Sequence, residues 1–227
     1  MTADRGTATD HSGVPARPRR RSGVASRAVP DITELILDDH DWFRRQFAAL
    51  DELRRSTPVD STALRDVWQP LADHLDVHAV AEEEIFYPQL LRRGGGEAED
   101  ETLDAIGDHN DIRDGVHAAA RHPIGTDAWW EAVQTARDAN DEHMSEEENE
   151  GLPDFRLHSA FGLRESLGRQ FTAFMARHKG ARGVDVADKD PETYVAQVEE
   201  RNKDTPGDVD EAGRLDGSLG IGSLKGK

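Results

Sequence analysis

The chain contains no cysteine. That absence excludes disulfides, thiolate zinc sites, iron–sulfur clusters and cysteine nucleophiles together, so any metal must be held by nitrogen and oxygen. Long apolar runs are missing as well. No stretch approaches the roughly 18 residues a membrane span needs, and the N-terminus lacks the continuous apolar core of a signal peptide. A cytoplasmic location without a membrane partner is the expectation. Positive charge is scarce, with 28 Lys and Arg against 46 Asp and Glu and a net charge of −18. Such a balance argues against nucleic acid, whose phosphates call for clustered cations. The one basic cluster, Arg17 to Arg21, reads as a solvated charge run.

Large apolar side chains are sparse at both ends, where Gly, Pro, Ser and charged residues dominate. Residues 1–29 therefore read as a disordered arm and 181–227 as a mostly disordered acidic and Gly-rich tail, with an isolated helix at most over Pro191 to Asn202, because neither end buries enough to offset the entropy of ordering. Residues 30–180 read as one helical domain. Asp31 is a fitting N-cap for a helix with Ile32, Leu35, Ile36, Phe43, Phe47 and Leu50 at three- and four-residue steps. A second helix starts at Ser61 or Thr62 and carries Leu64, Trp68, Leu71 and Leu75, with Pro70 as a kink or as its true start and Pro88 with Gly94 to Gly96 as its end. A third spans about 99–121. A fourth starts near Thr126 and is ended by Gly151 and Pro153. A shorter fifth, about 160–179, reads as a lid or brace. No stretch reads as a strand, so the class is all-α.

The two halves of this domain repeat. Asp39-His40-Asp41-Trp42-Phe43-Arg44 aligns with Asp108-His109-Asn110-Asp111-Ile112-Arg113, and His78 to Pro88 aligns with His143 to Pro153, with a glutamate four after each histidine: Glu82 and Glu147. Residues four apart on a helix lie about 40° apart around it and roughly 6 Å along it, so each His–Glu pair can reach one metal. In an up-down-up-down four-helix bundle, His40, His78, Glu82, His109, His143 and Glu147 share one core. Imidazole and carboxylate suit iron, manganese or zinc, and buried without a cation such groups would be costly. Six residues in duplicated register on apolar stripes are poorly explained as scattered surface histidines.

These residues, with the trailing Glu-Glu and the Tyr-Pro or Leu-Pro turns, make the chain resemble the hemerythrin-like family, also called the HHE cation-binding domain, over about residues 31–179. The resemblance implies a four-helix bundle with an additional short C-terminal helix. It also implies two iron ions bridged by Glu82 and Glu147 and by an oxo or hydroxo group, a non-haem di-iron centre. The chain departs from the oxygen-carrying members, which have a further histidine where Arg113 stands and an aspartate where Glu147 stands. With four histidines and two glutamates, positions remain for O2, peroxide or NO, which favours redox or sensing chemistry over carriage. Three readings stay open: an oxidoreductase or peroxide-decomposing enzyme, an iron- or oxygen-sensing or oxygen-binding module without turnover, and a structural bundle with incidental zinc. The first two call for a redox or signalling partner that the sequence does not identify.

His74, one turn before His78, is a seventh candidate ligand, with a hydrogen-bonding or proton-relay role and simple packing as its other readings. Its distance of about 12 Å along the helix from Glu82 counts against a shared compact site. Arg44 and Arg113, each four after the first histidine of its half, are placed to balance a carboxylate near the site. Glu83, Glu84, Glu146 and Glu148 point away from the ligand direction on an ideal helix and are expected outside the centre.

Overall fold

The computed structural model describes residues 31–204 apart from 57 and 59. The arm expected over residues 1–29 and the final part of the expected tail, from 205 onward, lie outside the described residues. Among the described residues there are helices and connecting turns and no strand. No helix among them is long and apolar enough to cross a membrane.

Helix α1 (Ile32–Arg55) begins where Asp31 accepts hydrogen bonds from the Thr33 and Glu34 amides, satisfying donors that a helix start leaves orphaned. Helix α2 (Ser61–Ala81) is capped in the same way by Asp60. Pro70 neither starts nor ends α2: it lies on an exposed face, where water can satisfy the carbonyl it deprives of a partner. Pro88 does not stop the chain, whereas the helix before Gly151 does end, at Asn149. A π-helical turn, Glu82–Phe86, leads into α3 (Tyr87–Arg93), with Pro88 in its first turn and Gly94 as its actual end. That is a position where proline's missing N–H costs nothing. Helices α4 (Ala98–Ala120) and α5 (Asp127–Asn149) follow, then α6 (Gly151–His158), which begins at the residue expected to terminate α5, and α7 (Phe161–Arg177).

The long helices pack around two apolar clusters with a polar belt between them. One holds Ile32, Ile36, Val80, Phe86, Ile106 and Phe155, and the other Phe43, Phe47, Trp68, Leu75, Ile112 and Trp129. Along α1 the order is Ile36, His40, Phe43. Along α4 it is Ile106, His109, Ile112. The histidines therefore occupy the boundary between clusters. Helices α4 and α5 make the closest long-helix contact, made possible by Gly115: a Cβ there would stand 2.5 Å from the Ala136 amide nitrogen and 2.7 Å from its Cα. Helix α7 lies against α1 and α2, as expected of the brace, and puts the Phe171 ring edge-on to His78 at 5.9 Å.

The boundary expected at residue 180 is too early. Helix α8 (Pro191–Asp204) follows, and Tyr194, Val195 and Val198 are buried in the first apolar cluster. Three apolar side chains on one stripe suffice here because α3 and α4 supply the surface they cover, a contribution the local composition of the segment does not carry.

Candidate metal centre

The structure brings six of the seven candidate residues together, all buried: His40 from α1, His78 from α2, Glu82 at the start of the π turn, His109 from α4, and His143 and Glu147 from α5. His78 Nε2 is 2.8 Å from Glu82 Oε1, and His40 Nε2 is 3.3 Å from Glu147 Oε2. Glu82 Oε2 is 3.3 Å from His109 Nε2 and 3.8 Å from His143 Nε2, and those two nitrogens are 3.2 Å apart. Two triads result, His40–His78–Glu82 and Glu82–His109–His143, the donor atoms within each lying within 4.8 Å of one another. Glu82 belongs to both.

Whether these atoms suit a cation is decided by what else they bond. His40 Nε2, His78 Nε2, both carboxylate oxygens of Glu82 and Glu147 Oε2 are buried and make no hydrogen bond of acceptable geometry. Buried polar atoms are seldom left so, since each costs on the order of 1–3 kcal/mol. Their lone pairs instead converge, as they do around a shared positive ion. The donor set, imidazole nitrogen with carboxylate oxygen, fits a first-row transition metal.

Three of the other four ring nitrogens are hydrogen-bonded to carboxylates. His40 Nδ1 lies 3.0 Å from Glu148 Oε1, His78 Nδ1 3.1 Å from Asp39 Oδ2 and His109 Nδ1 2.9 Å from Glu83 Oε1, whereas His143 Nδ1 faces Asp108 Oδ2 at 3.7 Å, beyond hydrogen-bond distance. A carboxylate holding the Nδ1 proton fixes the tautomer that leaves Nε2 free to donate to a metal, and strengthens it as a donor. The assignments follow the repeat. The aspartate before each half's first histidine faces that half's second histidine, within hydrogen-bond distance in the first half only, and the glutamate after each HxxxE bonds the first histidine of the other half. Arg44 Nη1 donates to Glu148 at 2.8 Å and Arg113 Nη2 to Glu83 at 2.5 Å, the balancing placement expected of both arginines.

Glu83 and Glu148 were expected outside the centre, and this needs correction: each holds a histidine of the belt. The wider π turn re-aims Glu83, which is fully buried. Glu148 points not at its own helix's ligands but across to α1. Glu84 and Glu146 are exposed, as expected.

His74 is the candidate that the structure does not bring to the triads around Glu82. Its Nε2 lies 3.1 Å from Asp39 Oδ2 and its ring stacks on Trp42 at 4.8 Å. Asp39 stands between His74 and His78, and these three form a further group whose donor atoms lie within 4.8 Å of one another, set one carboxylate out from Glu82. Four further histidines among the described residues lie apart from the centre: His158 at 2.8 Å from Asp154 on the surface, His178 bonded to the Arg182 carbonyl, His117 on the last turn of α4 and the exposed His122 just after it. One contact had no signal in the repeat: the buried Tyr87 hydroxyl donates to Glu147 Oε1 at 3.0 Å, and the second half has Leu152 at the matching place.

The electrostatics are those of an ionised carboxylate cage. Burial pushes Glu83 up, but His109, Arg113 and Lys189 outweigh it and hold the group at about 2. His40, against burial and with Arg44, likewise holds Glu148 at about 2. Burial opposes charge on His78, yet Glu82 and Asp39 raise it to about 10, and Asp108 with Glu82 does the same for His143 against its burial. Glu82 itself lies well below the usual carboxylate range, because its histidines overcome the cost of burial. Protons and a cation thus compete for the same nitrogens. Burial first, then Glu147, lifts the Tyr87 phenol well above its ordinary value, which keeps it a donor.

Among known families, the model of the hemerythrin HHE cation binding domain matches residues 31–154, more than half of the chain. No curated protein and no solved structure matches it.

Proposed function

The chain belongs to the hemerythrin HHE cation-binding family, and from that premise we propose that it is a non-haem di-iron protein that binds or activates a small oxidant, O2, peroxide or NO, among its buried histidines. On this reading α1, α2, α4 and α5 form an up-down-up-down bundle with α7 added. The observation that carries the proposal is the sharing of Glu82 between two buried triads, with both Glu82 oxygens and the Nε2 atoms of His40 and His78 left without a hydrogen bond. A single-ion site would need only one of them.

Bound there, a pair of irons would supply Lewis acidity and one-electron steps at adjacent positions. The residues would serve them unequally. His40, His78, Glu82 Oε1 and Glu147 Oε2 face one side, whereas His109, His143 and Glu82 Oε2 face the other, because Glu147 Oε1 is taken by the Tyr87 hydroxyl. Arg113 is committed to Glu83 and adds no donor. The His109–His143 side is therefore the more open one, with the Tyr87 ring against His109 at 5.9 Å as its wall. Phe43 and Phe171, both edge-on to His78, exclude water from the opposite side.

Chain expressed with iron should contain about two irons and bleach reversibly on reduction. One zinc, or no metal, would overturn the proposal. Sustained peroxide consumption would then mark an enzyme supplied by a redox partner, and saturable O2 or NO binding without turnover a sensing or oxygen-binding module.

A further inference from the structure

The family match ends at residue 154, yet a residue far beyond it reaches the centre. The Lys189 ammonium contacts Glu83 Oε2, while Glu83 Oε1 takes both His109 Nδ1 and Arg113. A partly exposed lysine beside a carboxylate is ordinarily a surface ion pair of little weight. Here the carboxylate is fully buried and the lysine's backbone is clamped. Asn110 Nδ2 donates to the Lys189 carbonyl at 2.7 Å and the Lys189 amide returns a bond to Asn110 Oδ1 at 3.0 Å. Asn110 directly follows His109 in α4. Tyr194, the fourth residue of α8, donates its hydroxyl to the Glu83 carbonyl at 2.5 Å. The whole segment is thus fastened to Glu83, which orients His109, and to Asn110, the residue after that histidine in α4.

The repeat shows what is added. Glu148 holds His40 and is balanced by Arg44, as Glu83 holds His109 and is balanced by Arg113. Only Glu83 carries a second full positive charge among the contacts of these two carboxylates. A carboxylate accepting the Nδ1 proton makes an imidazole a stronger donor to metal. A cation shared with that carboxylate withdraws part of the effect, and its own field opposes a metal cation nearby.

We propose that Lys189 is a positioning residue of the metal centre: delivered by the segment leading into α8, it shares Glu83 with His109 and lowers the cation affinity of the His109–His143 side. This rests on the cation-centre reading above. It also predicts a change opposite in sign to damage, because a residue that merely held the fold would weaken metal binding when replaced.

The full-length chain, freed of metal, is titrated with Co(II), whose visible absorption reports occupancy and needs no redox chemistry. Lys189→Met should bind the weaker of its cobalt ions on the order of ten-fold more tightly than wild type, and Lys189→Arg should match wild type. Thermal unfolding of each chain checks that α8 stays docked, and Lys189→Gln carries the same expectation should the Met variant not fold. Unchanged or weaker binding by the charge-removing variants overturns the inference, as does an Arg variant that follows Met, and both leave the centre intact. A wild-type chain that takes up no Co(II) overturns the centre and the inference with it.

Discussion

Glu148→Ala is the substitution that most directly tests the role of the outer carboxylates. Glu148 is not among the converging donor atoms, and its side chain is 26 % exposed. On helical geometry alone it should matter no more than Glu146. In the structure its Oε1 holds His40 Nδ1 at 3.0 Å and Arg44 at 2.8 Å. Its removal frees the His40 ring to rotate and to carry its proton on Nε2, the atom facing Glu147. Losing such an outer carboxylate costs about 10–100-fold in metal affinity, which is roughly 1.4–2.7 kcal/mol. The stability cost should be small, because Arg44 is 42 % exposed and exposed pairs contribute only about 0–1 kcal/mol. The same change at Glu83 would confound the two effects by leaving Arg113 buried and unpaired. The assay is competition for metal against a chelator of known affinity, with thermal unfolding of the metal-free chain alongside. Equal metal affinity in Glu148→Ala and Glu146→Ala would refute the reasoning.

His74→Ala should keep the full metal stoichiometry, whereas His78→Ala should lose at least one ion, and metal analysis of the purified chains separates the two. Gly115→Val should destabilise the α4–α5 contact by about 1–3 kcal/mol, read as a lower denaturation midpoint, since a Cβ there meets backbone and not a movable side chain. Burial and Glu150 raise Glu101 to about 7 against the hydrogen bond it accepts from the Gly151 amide. A carboxyl raised in the fold contributes stability that is complete below its ordinary value near 4.5 and is lost as pH rises through about 7. Thermal scans should therefore show wild type losing stability over that window relative to Glu101→Gln.

The converging residues were legible because residue type and spacing alone identify them: His40, His78, Glu82, His109, His143 and Glu147 stand at helical intervals on apolar stripes, twice over. The outer ring was less so. Asp39 and Asp108 precede the first histidine of each half and Glu83 and Glu148 follow the HxxxE glutamates, so the repeat contained the pattern. An ideal helix turns about 100° per residue, however, and that argument sends Glu83 and Glu148 away from the site. It fails at Glu83 because the backbone widens into a π turn, a state with no propensity signature here. It fails at Glu148 because the histidine it serves is on another helix. His74 looked like a ligand because it shares a face with His78, and only the placement of Asp39 shows why it stops short. Helix α8 was legible only as an isolated helix over 191–202, and its docking was missed because its stability resides in the surface it covers, while its own composition is polar.

The polar belt between the two apolar clusters also bears on how the chain comes apart. Hydrophobic cohesion does not propagate across a layer of histidines and carboxylates, so each cluster is a separate centre of packing joined to the other by helices that cross the belt. A cation that gathers donor atoms from α1, α2, α4 and α5 at that level binds the native arrangement and not the unfolded chain, and stabilises by mass action. Loaded chain is expected to unfold in one cooperative transition, and chain stripped of metal in two, with the clusters melting separately on either side of the belt.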